Sequence, residues 1–162
     1  MTDLAPGSPA PDFDLPTDTG RVRLSDLRGR TVVLFFYPKD DTPGCTTESV
    51  GFSQATEAFD EVGAVVVGVS KDTVGKHAKF RAKHGLTVEL GSDTDGDVIE
   101  RYGAWGEKQL YGRSYMGIDR STFLIDGEGV IRRIWRKVRV PGHVDEVLQA
   151  ARDLAEGSLA RT

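Results

Sequence analysis

Cys45 is the only cysteine of the chain, and it lies in the stretch FFYPKDDTPGCTTE (residues 35–48) with a polar side chain three positions to either side. Thr42 supplies a hydroxyl that can donate or accept a hydrogen bond. Glu48 falls on the same face of a predicted helix, where its carboxylate can orient a cation. The spacing indicates nucleophilic thiol chemistry that needs a positive partner, because a carboxylate alone disfavours a thiolate.

The loop before Cys45 contains Pro38, Pro43 and Gly44, which stiffen the backbone or allow its close approach. An inert core cysteine has no need of such a loop. The β-branched and aromatic run at 31–37 predicts a buried strand, and a helix is predicted to begin near Gly44. Cys45 then lies in the first turn of a helix at the carboxyl end of a strand. Ligands bind there in open α/β sheets, and free backbone N–H groups stabilise a thiolate.

Ionisation of the thiol accounts for only a small part of the rate that a fast cysteine enzyme needs. An ordinary thiol is about 3% ionised at pH 7, so complete ionisation raises the reactive fraction only about 30-fold. Nucleophilicity also falls as a thiol becomes more acidic. Most of the rate must come from groups that stabilise the transition state, so the site needs an arginine or lysine from elsewhere in the chain.

Strand-like and helix-like segments alternate along the chain. The apolar runs at 31–37 and 64–70 are typical of strands buried on both faces. The clearest helix is the last, in which residues 144–155 form one apolar face before Gly157. The other predicted elements are a helix at about 44–59, a helix capped by Asp72 that ends at His84 and Gly85, a short strand at 87–90, a short helix at 93–102, and a hairpin of strands 121–126 and 130–136.

This order of elements predicts an α/β fold of the thioredoxin-like type. A β-α-β-α order that finishes with a hairpin and a helix implies a central mixed β-sheet flanked by helices on both faces, because parallel strands need crossovers that cover them. The length of 162 residues fits one domain. We expect that domain to span 1–162, with residues 1–12 and 157–162 as flexible ends.

The composition argues for a protein of a reducing compartment. One cysteine excludes an intramolecular disulfide, and the polar, proline-rich start and the lack of any run near ~20 apolar residues predict no membrane span. A formal net charge of −4 gives no indication of a nucleic-acid partner. The basic cluster at 132–139 is interpreted as a solvated strand edge. We expect a cytoplasmic protein without nucleic-acid or membrane partners.

The chain resembles the peroxiredoxins, thiol peroxidases on a thioredoxin-like fold, over nearly its whole length. The pattern Pro38-x-x-x-Thr42-x-x-Cys45 is similar to the active-site motif of that family, and the wider string FYPKDDTPGCTTE is similar to the Q subfamily, the bacterioferritin comigratory proteins. By this match Arg120 is the active-site arginine of the family, which supplies the required cation. The other similar segments are PAPDF at 9–13, GEK at 106–108, YG at 111–112 and GIDRSTFLID at 117–126.

The resemblance implies reduction of hydrogen peroxide and organic hydroperoxides without a metal, haem, flavin or other cofactor. The thiolate would attack one peroxide oxygen and become a sulfenic acid, with release of water or an alcohol. The implied site residues are Cys45 as the nucleophile, Thr42, Arg120 and the backbone N–H groups of Gly44 and Cys45 as substrate-binding groups, Pro38 as a shield against water, and Glu48 as the group that positions Arg120.

The sequence departs from the Q subfamily where many members carry a second, resolving cysteine. That position, five residues after Cys45, holds Val50, and the following helix at 72–84 contains no cysteine either. We therefore expect a one-cysteine cycle in which an external thiol (thioredoxin, glutaredoxin or a low-molecular-weight thiol) reduces the sulfenic acid. Excess peroxide should oxidise the unresolved sulfenic acid further, to sulfinic acid. A monomer and a weak homodimer are both compatible with the resemblance.

Two other functions compete with the peroxidase. A Cys-His hydrolase needs a base near the thiol, and the candidates are His77, His84 and His143. We interpret His77 and His84, seven residues apart, as solvated surface histidines. The second alternative is a redox sensor or binding module on the same fold that does not turn over. Joint retention of the motif and Arg120 favours catalysis, because a sensor could tolerate their loss.

Three aromatic residues, Trp105, Tyr111 and Tyr115, precede Arg120 in a predicted long loop. They fit two interpretations. They could line the entrance for the substrate, or they could pack as ordinary anchors of the loop.

Overall fold

The computed structural model describes residues 4–157, and a seven-stranded sheet lies at its centre. The strands are β1 (Asp14–Thr17), β2 (Gly20–Arg23), β3 (Thr31–Phe36), β4 (Ala64–Ser70), β5 (Glu89–Ser92), β6 (Trp105–Leu110), β7 (Arg113–Ile118), β8 (Ser121–Ile125) and β9 (Ile131–Trp135). The helices are α1 (Pro43–Gln54), α2 (Thr56–Glu61), α3 (Val74–His84), α4 (Asp97–Arg101) and α5 (His143–Ala155).

The strand order of the large sheet is β2-β1-β5-β4-β3-β8-β9, and β6 pairs with β7 in a separate hairpin. Strands β3, β4 and β5 are parallel to one another, whereas β8 is antiparallel to β3 and β9 is antiparallel to β8. The predicted mixed sheet is therefore confirmed. Strand β3 lies between β4 and β8, so its carboxyl end has a strand of the sheet on either side.

Both faces of β3 are buried because its side chains alternate between two apolar clusters. One face contributes Val32, Leu34 and Phe36; the other contributes Val33, Phe35 and Tyr37. Helices α1, α2, α3 and α5 pack on the second face, and α4 packs on the first. Helices therefore cover both faces, as the sequence predicts.

A close contact through Gly68 of β4 helps to position α1. A Cβ atom at Gly68 would lie 2.6 Å from Cζ of Phe35, so only glycine leaves room for that ring over β4. Phe35 in turn stacks on Phe52 of α1, with ring centroids 4.7 Å apart. The start of α1, which contains Cys45, is thereby held at the carboxyl end of β3.

The helix predicted at 44–59 is interrupted at Ala55, which separates α1 from α2. The Ala55 N–H contacts the carbonyls of both Gly51 and Phe52, and its ψ angle of 3° leaves the helical range. The bend brings Phe59 to within 5.9 Å of the Phe52 ring in the same core. Tertiary packing therefore breaks a helix that the apolar spacing alone would continue.

The cap predicted for α3 is also wrong by one residue. Thr73, not Asp72, accepts the hydrogen bond from the Lys76 N–H. Asp72 is buried and accepts from the Ser70 hydroxyl instead. The predicted end of the helix is confirmed, since Gly85 adopts the left-handed conformation directly after His84.

Two hairpins are missing from the sequence-based assignment. Strands β1 and β2 pair within the N-terminal region, and β6 and β7 occupy most of the predicted long loop before Arg120. The two-residue turn between β6 and β7, at Tyr111 and Gly112, has positive φ at both positions, which is the geometry of a type I′ hairpin turn. The last hairpin, β8 and β9, and helix α5 are confirmed close to their predicted bounds.

The segment expected to be a flexible N-terminal end is hydrogen-bonded to the rest of the protein. The Gly7 N–H donates to the Ile131 carbonyl, the Ala10 N–H donates to the Gly129 carbonyl, and the Pro11 carbonyl accepts from the Tyr102 hydroxyl. Residues 1–3 and 158–162, which belong to the two expected flexible ends, lie outside the described residues. Within residues 4–157 no helix is both long enough and apolar enough to cross a membrane.

Candidate active site

Cys45 is the third residue of α1, directly beyond the carboxyl end of β3. Pro43 takes the first helical position, where a missing N–H costs nothing. The Thr46 N–H is the first that donates a helical hydrogen bond, and it does so to the Thr42 carbonyl at 2.8 Å. The N–H groups of Gly44 and Cys45 therefore precede the first helical hydrogen bond and have no acceptor within the helix. They can bind an anionic oxygen. The thiol itself is 1% exposed and packs in the core on the α1 side of the sheet.

Arg120 connects the thiol to a carboxylate. It lies in the short link between β7 and β8, and its carbonyl accepts from the Val138 N–H at 2.9 Å. Its guanidinium Nη2 donates to Cys45 Sγ at 3.2 Å, and Nη1 donates to Glu48 Oε1 at 2.6 Å. The cation that the sequence argument required thus contacts both the Cys45 thiol and the carboxylate three residues after it.

The Glu48 carboxyl group is fully buried, and only one of its oxygens is hydrogen-bonded. Oε2 has no hydrogen-bond partner among residues 4–157. Burial raises the pKa of Glu48 to about 7, and the neighbouring Arg120 only partly offsets this effect. The carboxyl group therefore titrates near neutral pH.

The pKa of Arg120 does not follow burial in the way that the pKa of Glu48 does, because two groups contact the guanidinium. Partial burial acts to lower the pKa of Arg120, but Glu48 and Cys45 together raise it above its usual value. The guanidinium stays charged, with 16% of its side chain exposed. A fixed positive charge beside sulfur can stabilise a thiolate and also an oxyanion that forms next to it.

Gly44 permits the approach of the guanidinium. A Cβ atom at this position would lie 3.2 Å from Arg120 Nη2, closer than ordinary van der Waals contact. A side chain here would have to displace the atom that donates to sulfur. The glycine thus serves the site in a way that its place in the loop alone did not reveal.

The structure does not show the Thr42 hydroxyl on the sulfur. Thr42 Oγ1 donates to the Lys39 carbonyl at 2.8 Å, within the same loop. Pro38 follows the buried end of β3 and is half-buried at the start of that loop. Cys45, Arg120, Glu48 and Gly44 are therefore brought together directly, while Thr42 and Pro38 form the adjoining loop.

The prediction that His77 is a solvated surface residue is wrong. His77 is 0% exposed; its Nδ1 lies 2.6 Å from Asp40 Oδ2 and its Nε2 lies 3.1 Å from the Gly91 carbonyl. His84 is more accessible and contacts Asp41 at 2.9 Å. The sequence contains one indication of where these two histidines lie: their seven-residue spacing places both on one face of α3.

Asp40 is a site-loop residue that the sequence reasoning missed. Its Oδ1 accepts from the Tyr37 hydroxyl at 2.5 Å, and its N–H donates to Asp72 Oδ2 at 2.8 Å. Burial, reinforced by the neighbouring Asp40, raises the pKa of Tyr37 well above its usual value. Tyr37 therefore remains a hydrogen-bond donor to Asp40.

His143 at the start of α5 is buried beside Thr122, with Nε2 2.8 Å from the hydroxyl oxygen. Burial lowers the pKa of His143 to about 4, so the ring is neutral at physiological pH. Among the described residues, the side-chain partners of His77, His84 and His143 are Asp40, Asp41 and Thr122, and none of them is Cys45. The geometry does not supply the base that a Cys-His hydrolase needs.

The three aromatic residues before Arg120 differ in how far they are buried. Trp105 packs against the core and lies under the Lys71 ammonium at 4.7 Å, as an anchor does. Tyr111 is 96% exposed and Tyr115 is 47% exposed on the β6–β7 hairpin, so neither is a packed anchor. Within residues 4–157 no cluster of three or more His, Cys, Asp or Glu side chains is placed to hold a metal ion.

Comparison with known proteins gives one consistent result. Residues 6–134 match the AhpC/TSA family. The chain is 51% identical over 143 residues to a putative peroxiredoxin Bcp of Coxiella burnetii (88% of this chain, 95% of the relative) and 49% identical over 151 residues to the peroxiredoxin Bcp of Bacillus subtilis (93% and 96%). A solved structure of the Xanthomonas campestris bacterioferritin comigratory protein, studied for alkyl peroxide reduction, has a TM-score of 0.84 at 42% identity, covering 88% of this chain and 92% of that one.

Proposed function

The chain belongs to the AhpC/TSA family as a Bcp-type peroxiredoxin, a thiol-dependent peroxidase, and on this premise we propose that Cys45 is its peroxidatic nucleophile and that an external thiol completes the cycle. The observation that carries the assignment is the 3.2 Å contact between Arg120 Nη2 and Cys45 Sγ at the start of α1. Family membership also supports the peroxidase over the sensor that does not turn over.

In the proposed first step, the Cys45 thiolate attacks the nearer oxygen of a hydroperoxide in line with the O–O bond. A sulfur–oxygen bond forms, the O–O bond breaks, and the leaving oxygen takes a proton to become water or an alcohol. Cys45 is left as a sulfenic acid. Negative charge moves from sulfur to the leaving oxygen, so donors must face both atoms.

Arg120 and the helix start are placed to stabilise that charge. The guanidinium already contacts the sulfur, and the N–H groups of Gly44 and Cys45 lie in the first turn of α1, where they have no intrahelical partner. Removing one preorganised donor from a site of this kind costs about 10²- to 10³-fold in rate. Two or three such donors exceed the roughly 30-fold that thiol ionisation provides. Glu48 would position Arg120 through the 2.6 Å ion pair.

Thr42 and Pro38 complete the site from the loop. In the proposal the Thr42 hydroxyl exchanges its bond to the Lys39 carbonyl for one to the peroxide. Pro38, at the end of β3, shields the thiolate from water. The alkyl peroxide reduction studied in the X. campestris relative supports organic hydroperoxides as substrates beside hydrogen peroxide.

The second half of the cycle follows from the cysteine count. The chain has one cysteine, so no disulfide can form within it. An external thiol attacks the sulfenic acid, water leaves, and a second thiol releases Cys45 from the mixed disulfide. We propose thioredoxin, glutaredoxin or a low-molecular-weight thiol as the reductant, a monomer or weak homodimer as the working form, and the cytoplasm as the location, since its thiols are kept reduced.

The experiment oxidises the protein with one equivalent of peroxide and offers each of the three reductant classes separately. Intact-mass spectra follow the sulfenic acid, the mixed disulfide and the recovered thiol. We expect at least one class to return Cys45 to the thiol through a mixed disulfide. If none of them reduces the sulfenic acid, the external-thiol cycle is wrong. Protein alkylated at Cys45 before oxidation serves as the control.

A further inference from the structure

A groove with basic side chains lies between the end of β9 and the start of α5. Its volume is about 560 Å³, which is within the range of sites that bind small molecules. We call it the basic groove. Its lining includes Trp135, Lys137, Val138, Arg139, His143 and Glu146.

The basic groove lies close to Arg120 and Cys45. The Val138 N–H donates to the Arg120 carbonyl at 2.9 Å, and the Arg120 guanidinium donates to Cys45 Sγ at 3.2 Å. At the start of α5, the His143 ring packs edge-on against Phe52 of α1, with ring centroids 6.1 Å apart. One arginine side chain therefore separates the wall of the groove from the sulfur.

Two cations of the basic groove have no ion-pair partner. Lys137 and Arg139 are exposed, and within residues 4–157 neither contacts a carboxylate. The neighbouring Arg133 differs, because it pairs with Glu146 at 3.3 Å, and Arg136 donates to two backbone carbonyls. The uncompensated charge of the groove is therefore positive, although the whole chain has a formal net charge of −4.

Lys137 adopts a backbone conformation that lysine rarely takes. Its φ angle is 47°, in the left-handed region that favours glycine and asparagine. A residue type that the backbone itself disfavours points to a use for its side chain. The side chain of Lys137 supplies one of the two unpaired cations of the groove.

We propose that the basic groove binds a carboxylate of a small, peptide-like thiol and that this thiol is the external reductant of the Cys45 sulfenic acid. This inference rests on the proposed external-thiol cycle. An extended tripeptide spans about 10 Å, so its carboxylate can contact Lys137 or Arg139 while its thiol reaches past Arg120 towards the sulfur.

The bound thiol would react as a thiolate. Its sulfur forms a bond to the Cys45 sulfur, and the hydroxide that leaves takes a proton to become water. The product is a mixed disulfide, in which the thiol has been oxidised and the sulfenic acid reduced. A second thiol molecule attacks the sulfur of the first, and Cys45 leaves as a thiolate. The groove contributes by holding the first thiol close to the sulfenic acid.

The test combines a change of charge on the thiol with a change of charge on the protein. Glutathione carries two carboxylates and its diethyl ester carries none, and both react through the same cysteinyl thiol. The protein is oxidised with one equivalent of peroxide, and stopped-flow kinetics give the rate constant for reduction by each thiol. The ratio of the two rate constants cancels any effect of a substitution that both thiols share.

The double variant Lys137→Gln/Arg139→Gln should lower the glutathione-to-ester ratio about five- to tenfold, since each exposed ion pair contributes about threefold at low salt. The matched control is Lys76→Gln/Lys79→Gln. It makes the same change in net charge at exposed positions of α3, which packs against β1 and β5 and not against β9. The control should keep the wild-type ratio.

Two results of these kinetics would overturn the proposal. If the double variant at Lys137 and Arg139 keeps the wild-type ratio, the two cations do not contact the thiol. If the control lowers the ratio as much, the effect belongs to the net charge of the protein and not to the groove.

Binding is also measured apart from reduction, with S-methylglutathione, which has no free thiol. Its titration into the reduced, ¹⁵N-labelled protein should cause saturable shifts of the backbone N–H signals at 136–143, with an affinity at least fivefold lower in Lys137→Gln/Arg139→Gln. The absence of saturable shifts there would refute the groove as a site for a small thiol. If no thiol reduces even the wild type, the external-thiol cycle fails, but this titration still decides whether the groove binds the peptide.

Discussion

Replacement of Glu48 by glutamine should change how the stability of the protein depends on pH. The Glu48 carboxyl group is 0% exposed, and burial raises its pKa from 4.5 to about 7. The folded protein therefore holds this proton more tightly than the unfolded chain does. The resulting contribution to stability is fully present below the unfolded pKa, near 4.5, and is lost as the pH rises through about 7.

The size of the effect follows from the two pKa values. Ionisation of Glu48 costs about 0.8 kcal/mol of folding free energy at about pH 5 and about 3.3 kcal/mol at about pH 8, from 1.36 kcal/mol per pKa unit. Glutamine does not ionise in this range. The free energy of unfolding of the wild type, minus that of Glu48→Gln, should therefore fall by about 2.5 kcal/mol between about pH 5 and about pH 8.

Urea unfolding at a series of pH values measures this difference, because contributions from groups that do not contact residue 48 cancel between two proteins that differ at this one position. Glu57→Gln, which removes an exposed carboxylate on α2, is the matched control for a carboxylate that folding does not bury. A pH-independent difference for Glu48→Gln would refute the reasoning, since it would mean that Arg120 cancels the cost of burying this carboxylate.

Two further predictions concern the chemistry of the site. Arg120→Lys should lower the second-order rate constant for peroxide by about a hundredfold, because the compact ammonium of lysine lacks the planar fork whose Nη1 and Nη2 reach Glu48 and Cys45 separately. Stopped-flow kinetics test this, with Arg132→Lys, whose partner is Asp126, as a control expected to keep the wild-type rate. Excess peroxide without a reductant should convert Cys45 to sulfinic acid. Intact-mass spectrometry would show this as the addition of two oxygen atoms. A spectrum in which oxidation stops at the sulfenic acid would contradict the expectation of an unprotected intermediate.

Local pattern was sufficient for the parts of the fold that bury the most apolar surface. The run at 31–37 predicts a two-sided strand, and β3 alternates between two clusters as expected. The need for a cation beside Cys45 also follows from chemistry alone, because ionisation could not supply the rate. That Arg120 is this cation came from the family resemblance, and the distances of 3.2 Å to sulfur and 2.6 Å to Glu48 agree with it.

Contacts between distant segments explain what the sequence did not reveal. Asp40 and His77 are 37 residues apart, and nothing near either one indicates that they meet in a buried pair. The break at Ala55 depends on where Phe59 packs, which is a property of the core and not of the helix. The strands β6 and β7 were missed because WGEKQL and RSYMGI show no alternation of apolar and polar residues, and β7 is exposed over most of its length.

Steady-state consumption of hydrogen peroxide in the presence of a thiol reductant, compared between the wild type and Cys45→Ser, tests the central claim most directly. All of the proposed chemistry takes place at one sulfur atom, so Cys45→Ser should consume peroxide no faster than the reductant alone, while the wild type turns over many times per chain. Equal rates for the two proteins would contradict the assignment of Cys45, and with it the roles of Arg120 and Glu48.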